Sequence, residues 1–215
     1  MEGDRLNMVK RAFDILAASV ALLLLWPLLL LIAILVKCDS PGPAIFRGRR
    51  VGRYGVPFTQ FKFRSMQFTD VATDCSVGKG DNRVTKVGAI IRLLKMDELP
   101  QFLNVVLGDM SIVGPRPELL KYANTFTGQF TQILEVRPGL TDPASLRFSH
   151  VEEVLGTEDP DRVYEESVLP EKNLLRLEYV KTRSFWSDIR IIIATIVCLG
   201  SSLIGKMRRR DGRRR

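Results

Sequence analysis

The sequence predicts an α+β protein that is mostly helical: an N-terminal re-entrant membrane helix kinked at a proline, a β-hairpin, and a compact helical body at the cytoplasmic face of a membrane. Three observations carry that expectation. Residues 15–36 form an uninterrupted apolar or small run with Pro27 at its middle. Residues 44–64 alternate as paired strands do, around a Gly-rich turn. From Val87 onward apolar residues recur at helical spacing. The expected organisation is a membrane helix with its basic flank over residues 1–38, a folded body ending in an interfacial helix over 39–205, and a polybasic tail over 206–215.

A chain of 215 residues is long enough for one domain with its own core and too short for two full-sized ones. Hydrophobic residues at 46% and charged residues at 26% exclude a disordered chain, and a mean hydropathy of +0.05 excludes a many-span channel. The net charge of +8 suggests nucleic acid until it is divided along the chain: residues 1–56 contribute +4, residues 206–215 contribute +6, and the middle carries about −2. A nucleic-acid reader needs its cations on the folded body. Here they flank apolar stretches, where anionic lipid head groups would meet them, so lipid is the expected partner and nucleic acid is not. Cys38, Cys75 and Cys198 lie far apart with no C-x-x-C spacing and a single histidine, His150, to assist. Neither a zinc site nor a disulfide framework is expected, and a reducing compartment fits.

The first apolar run, about 22 residues, could cross a bilayer as one straight helix. Pro27 argues for a bend, because it removes a backbone donor and crowds the preceding turn. Arg5, Lys10 and Arg11 precede the run, and Lys37, Arg47, Arg49, Arg50 and Arg53 follow it, so neither flank is depleted of positive charge. A helix that enters and leaves by the same face reconciles both facts; a straight span is the competing geometry. No small-x-small site follows, so a cleaved leader is not expected. Near the other end, residues 189–204 are apolar but short, and Lys206 with six arginines follows, which reads as an interfacial helix with a basic anchor or as a core helix with a tail.

Ser40-Pro41-Gly42-Pro43 ends the first helix. In the hairpin's second strand Phe61 and Phe63 alternate with Gln60, Lys62 and Arg64, giving one core face and one face bearing cations, either solvated or facing a phosphate. Thr69 to Arg83 is polar and reads as a loop. Val87, Ile90, Ile91 and Leu94 then mark a helix, and Leu99, Phe102, Leu103 and Val106 another, with a break between them at Met96 to Pro100.

Asp97 and Glu98 stand at that break, at or just before a helix N-terminus, where the dipole and unpaired donors favour a carboxylate, a bound anion, or both. Alone, the pair reads as structural capping. Arg92 and Lys95 precede it, however, and Gly114-Pro115-Arg116-Pro117 follows, where two prolines present a guanidinium on a stiff backbone. Carboxylates, cations and a rigid arginine suit phosphoryl transfer, in which a carboxylate attacks or binds magnesium while cations neutralise the phosphates.

These residues resemble those of the small monotopic phosphoglycosyl transferases, also called bacterial sugar transferases. The likeness is carried by Lys10-Arg11-Ala12-Phe13-Asp14, by Asp39-Ser40-Pro41-Gly42-Pro43, by Phe61-Lys62-Phe63-Arg64-Ser65-Met66, and most specifically by the run from Asp97-Glu98-Leu99-Pro100-Gln101 to Pro115-Arg116-Pro117. Arg137-Pro138-Gly139-Leu140-Thr141 and Tyr179-Val180-Lys181 complete it, over residues 8–200 or so. The resemblance implies that Asp97 attacks the β-phosphorus of a UDP-sugar, that UMP leaves, and that polyprenol phosphate takes the phosphosugar from the enzyme as a polyprenyl diphosphate sugar. That reaction is the first membrane step of surface glycan assembly. It further implies that Glu98 supports Mg2+ and the nucleophile, Asp97 and Glu98 forming the metal site. Pro115, Arg116 and Pro117 line the uridine nucleotide site, and Lys62, Arg64, Arg92 and Arg137 serve as substrate contacts. The expected place is the bacterial inner membrane with the body on the cytoplasmic side, and a homodimer is left open.

Three departures from the family pattern stand out. Trp26 replaces the serine often found before the bending proline; Asp142-Pro143-Ala144-Ser145-Leu146-Arg147-Phe148 follows Thr141 where many members have Gly and an Ala-Gln pair; and the arginine-rich tail is no hallmark of the family. The competing reading from another class is a non-catalytic membrane-bound scaffold for glycan-assembly enzymes.

Overall fold

The computed structural model describes residues 2–67, 82–149 and 160–211, with side chains described between Met8 and Ser201. Most of the expected loop from Thr69 to Arg83, the acidic stretch at Glu152 and Glu153, Cys75, His150 and the last four residues lie outside these.

The leucine-rich N-terminus forms one 38-residue helix, α1 (Glu2–Asp39), which continues in helical hydrogen bonding past Pro27. Two patches fasten it to the body. Ala18 is fully buried with Val105 and Met110, while Ile32 and Val36 pack with Phe63 and Ile91. Burial of each of the larger of these side chains contributes about 1.5–3 kcal/mol. The rest of the helix stays uncovered: Leu23, Leu24 and Trp26 are 71%, 72% and 58% exposed, and Leu30 and Leu31 are exposed beside them. Met8–Asp39, whose most apolar 18-residue window has a mean hydropathy of 2.9, is, among the described residues, the helix long and apolar enough to cross a membrane. So much contiguous apolar surface marks a membrane-associating element.

The sequence motif just before the apolar run is a set of locks between α1 and the body. Arg11 donates to the Val105 and Val106 carbonyls at 2.8 and 3.2 Å, Asp14 accepts from Ser111 Oγ at 2.7 Å, and Lys10 Nζ pairs with Asp188 at 2.6 Å.

Strands β1 (Ile45–Val51) and β2 (Pro57–Phe63) form the expected antiparallel hairpin, with register running from Ile45 opposite Phe63 to Val51 opposite Pro57. Its polar face is not left to solvent. Gln60 is buried and donates to Gln101 at 3.1 Å, and Lys62 meets Glu98. Asn104 clamps the free side of β2, accepting from the Phe61 N–H at 2.9 Å and donating to the Thr59 carbonyl at 2.7 Å.

Helix α2 (Lys86–Leu93) is capped by Thr85, whose hydroxyl accepts from Gly88 N at 3.0 Å, and by Asp39, which accepts from Val87 N at 2.8 Å. Gly88 is required because a Cβ there would fall 2.0 Å from the Ser65 carbonyl oxygen. Ile91 points inward as the periodicity predicts, but Ile90 and Leu93 are exposed, as are Leu103 and Leu107 on α3 (Gln101–Leu107). Like those of α1, these apolar side chains are left uncovered by the body.

Gly108, at φ +102, closes α3. Then β3 (Ser111–Val113) pairs in parallel with β4 (Gly139–Thr141), Ser111 opposite Gly139 and Val113 opposite Thr141. The chain continues through α4 (Pro143–Arg147). After the undescribed stretch come α5 (Pro160–Val163), a π-helical turn over Tyr164–Val168, α6 (Leu169–Thr182) and α7 (Phe185–Asp211). Thr195 on α7 hydrogen-bonds Thr141 at 2.7 Å, whereas Trp186, Ile193, Ile196 and Val197 are exposed. The last helix thus packs on the body with one side and presents an apolar side outward.

Candidate active site

The break between α2 and α3 is a 3-10 turn over Met96–Glu98, entered through Lys95 in the left-handed region at φ +56. A side-chain-bearing residue there stores strain, which is common beside functional groups. The turn places two adjacent carboxylates in opposite electrostatic settings. Glu98 accepts hydrogen bonds from Arg116 Nη2 and, at 3.2 Å, from Lys62 Nζ. Burial alone would raise its pKa, but the Arg116 guanidinium and the Lys62 ammonium outweigh that and hold it well below the usual carboxylate range. Asp97 goes the other way: burial, and then the Glu98 charge, push its pKa up, with Lys62, Lys95 and Arg92 only partly offsetting them. Asp97 Oδ1 is buried without a hydrogen-bond partner among the described residues. Two carboxyl groups whose environments drive their pKa values apart are the usual mark of divided chemical roles. Lys62 is itself pushed down by burial, against the upward pull of Glu98.

Arg116 is held from three directions. Its side-chain Nη1 donates to the Leu140 carbonyl at 3.1 Å and its backbone N–H donates to Asp142 Oδ2 at 3.0 Å. The neighbouring Pro115 carbonyl accepts from Gly139 N at 3.0 Å. The close approach of the two segments demands glycine, since a Cβ on Gly139 would lie 2.2 Å from Gly114 N. Lys62, Asp97, Glu98 and Arg116 therefore form one cluster, Pro115 and Pro117 flank its arginine, and Arg92 acts on Asp97 through its charge.

Two expected contacts are placed elsewhere. Arg64 is buried beneath the C-terminus of α1, where it donates to Ser40 Oγ at 2.7 Å and to the Pro41, Pro43 and Ser40 carbonyls at 2.8, 2.8 and 2.7 Å. Four carbonyls that the end of a helix and two prolines leave unpaired, Val36 being the other, explain why an arginine is needed there. Arg137 donates to the Gly108 carbonyl at 2.9 Å and lines a separate cleft with Lys10, Arg11 and Arg53.

A buried polar network behind Arg116 was not foreseen. Asp142, fully buried, also accepts from Ser145 N at 2.6 Å and from Arg176 Nε at 3.4 Å. Arg176 Nη2 reaches Glu118 at 2.7 Å, Tyr164 donates to Glu118 at 2.6 Å, and Lys172 donates to the Tyr164 hydroxyl at 3.2 Å. Asp before Pro at a helix start was a readable capping signal; nothing in the spacing of Glu118, Tyr164, Lys172 and Arg176 announced their burial together.

Asp97 and Glu98 are the residues that could hold a magnesium ion. Asp97 Oδ1 is buried without a partner among the described residues, and Lys62 and Arg116 both engage Oε1 of Glu98. One or two carboxylates completed by substrate phosphates and water is a common magnesium arrangement.

The site thus joins a strained turn bearing a buried carboxylate to a second carboxylate neutralised by lysine and arginine, beside a helix apolar enough to cross a membrane. Comparison with known proteins is more specific: residues 5–201 match the bacterial sugar transferase family, and the chain belongs to that family. It is 38% identical over 194 residues to a UDP-glucose:undecaprenyl-phosphate glucose-1-phosphate transferase of Caulobacter vibrioides, covering 88% of this chain and 69% of that one. It is 39% identical over 196 residues to a UDP-N-acetylgalactosamine-undecaprenyl-phosphate N-acetylgalactosaminephosphotransferase of Aeromonas hydrophila, covering 87% and 43%. It is 39% identical over 202 residues to the exopolysaccharide production protein PSS of Rhizobium leguminosarum bv. phaseoli, covering 88% and 94%. The chain thus spans under half of the Aeromonas relative and nearly all of the Rhizobium one.

Proposed function

We propose that the protein is a phosphoglycosyl transferase that moves a phosphosugar from a UDP-sugar to polyprenol phosphate through a covalent aspartyl intermediate. The observation that carries this reading is the contrast between Asp97, buried with an unpartnered oxygen, and Glu98, ionised and fixed by Lys62 and Arg116. The names of the relatives support the substrate classes.

In the first step an Asp97 carboxylate oxygen forms a bond to the β-phosphorus of the UDP-sugar. The bond from that phosphorus to the bridging oxygen breaks, and UMP leaves with the electron pair. Burial makes Asp97 a more basic carboxylate than an exposed one, and so a better nucleophile once deprotonated. Lys62, with Arg92 nearby, neutralises charge gathering on the phosphoryl oxygens. Arg116, fixed between two prolines, lines the nucleotide. Glu98 keeps Lys62 and Arg116 in place. A magnesium ion held by Asp97 and Glu98 would add neutralisation of the diphosphate charge. In the second step a phosphate oxygen of polyprenol phosphate bonds to the same phosphorus, the bond to Asp97 breaks, and the free carboxylate returns.

One substrate is water-soluble and the other has its phosphate at head-group level, so a site held at the membrane surface serves both. Residues 1–38 act as a re-entrant anchor bent at Pro27, 39–205 as the catalytic domain on the cytoplasmic side of the inner membrane, and 206–215 as a lipid-contacting tail. The test is magnesium-dependent UMP release from a panel of UDP-sugars, with and without polyprenol phosphate, comparing the parent with Asp97→Asn in nanodiscs. Release by the parent alone supports the transferase and identifies its sugar. Equal release by the variant removes Asp97 from the mechanism.

A further inference from the structure

A cleft of about 50 Å³ lies between the start of α1, the Arg137 loop and the junction of α6 with α7, lined by Lys10, Arg11, Asp14, Arg53, Arg137 and Arg183 among others. Asp97, Glu98, Lys62 and Arg116 do not line it. The charges within it are unbalanced. Lys10 is matched by Asp188 at 2.6 Å and by Asp14 at 4.0 Å. The four guanidinium groups have no carboxylate partner among the described residues. Arg11 donates to the Val105 and Val106 carbonyls, Arg53 to the Glu135 carbonyl at 2.8 Å, and Arg137 to the Gly108 carbonyl at 2.9 Å. Such bonds orient a guanidinium and leave its charge in place. Arg137 feels the crowding: burial and then its neighbours Arg11 and Arg53 push its pKa down. Arg183 makes no hydrogen bond or ion pair with any described residue and is half-buried.

The position of the cleft says what would balance it. Arg11 lies about one helical turn before the apolar run of α1, and Arg183 lies two residues before the start of α7, whose Trp186 is 71% exposed. Phe13 and Phe185 meet edge to face with ring centroids 5.5 Å apart, so the two apolar helices begin side by side at this point. A tryptophan beside cations at the start of apolar surface is the arrangement found at head-group depth. We propose that this cleft binds the phosphate group of a lipid, with the guanidinium groups of Arg11, Arg53, Arg137 and Arg183 around the phosphate and the lipid tail along the exposed apolar sides of α1 and α7. Arginine suits this task because its planar fork gives paired hydrogen bonds to phosphate. The inference requires that α1 associate with a membrane and is independent of Asp97 being the nucleophile.

The experiment uses the full chain in delipidated detergent micelles, supplied with phosphatidic acid or phosphatidylcholine, with bound lipid counted by native mass spectrometry. Phosphatidic acid should be retained over phosphatidylcholine, and Arg183→Gln, a change that breaks no hydrogen bond or ion pair among the described residues, should weaken that retention about fivefold, as expected for one surface cation. Arg183→Lys should restore part of it. Equal retention of the two lipids by the parent, or unchanged retention in Arg183→Gln with an unaltered melting temperature, overturns the proposal. Displacement of the lipid by inorganic phosphate at equal concentration also overturns it, assigning the cleft to free phosphate. If retention falls and the KM for polyprenol phosphate rises while that for the UDP-sugar does not, the bound lipid is the acceptor; if only retention falls, it is a resident anionic phospholipid.

Discussion

The Asp142 carboxylate accepts the backbone N–H of Arg116 at 3.0 Å, so a residue 26 positions downstream fixes the arginine that closes on Glu98. Asp142 in turn is held by Ser145 N and by Arg176. The site is therefore supported from behind by a buried charge network, and the orientation of Arg116 depends on groups that never touch substrate.

Asp142→Asn removes the charge facing Arg176 while keeping the shape of the side chain. Breaking a buried pair in this way costs about 3 kcal/mol, and the loosened Arg116 should raise the KM for the UDP-sugar more than it lowers kcat. Denaturant titration and steady-state kinetics on the same preparation measure both.

Arg64→Ala should lower stability by about 3 kcal/mol or more, because several carbonyls at the end of α1 lose their donor. The folded fraction should keep the parent KM for the UDP-sugar. A raised KM with unchanged melting temperature would return Arg64 to the substrate.

Burial pushes the Lys172 ammonium down to about 8, against the upward pull of Glu118. Between that value and the ordinary lysine pKa of about 10.4, the unfolded chain holds a proton that the folded chain has released, so stability should rise with pH across this window. Unfolding measured at pH 7.5 and 9.5 should show the gain in the parent and lose it in Lys172→Met.

Membrane topology is tested by reporters at Met1 and just after Lys37, where Cys38 is already exposed. Both should react with an impermeant reagent from the cytoplasmic side only. Reaction from opposite sides would make α1 a true span.

The hairpin, the apolar helix and the broken helical pair were legible because each depends on local periodicity and turn chemistry. Asp97, Glu98 and Arg116 were legible because a proline-punctuated break concentrates charge where a core element should be apolar. Arg64 misled: alternation with Lys62 placed both on one strand face, but Arg64 follows the last residue of β2 and turns to the carbonyls of Ser40-Pro41-Gly42-Pro43. The parallel pair of β3 and β4 escaped because each strand has three residues, too few for a period. The Glu118–Arg176 pair escaped because 58 residues separate its partners and only the fold brings them together.

The most direct measurement is the intact mass of the full chain after incubation with its UDP-sugar and magnesium in the absence of polyprenol phosphate. One phosphosugar should be added to the parent, at Asp97 by fragmentation, and should disappear when polyprenol phosphate is supplied; Asp97→Asn should gain none. UMP released by the parent with no added mass at any time, or an adduct that polyprenol phosphate does not remove, would contradict a covalent aspartyl route.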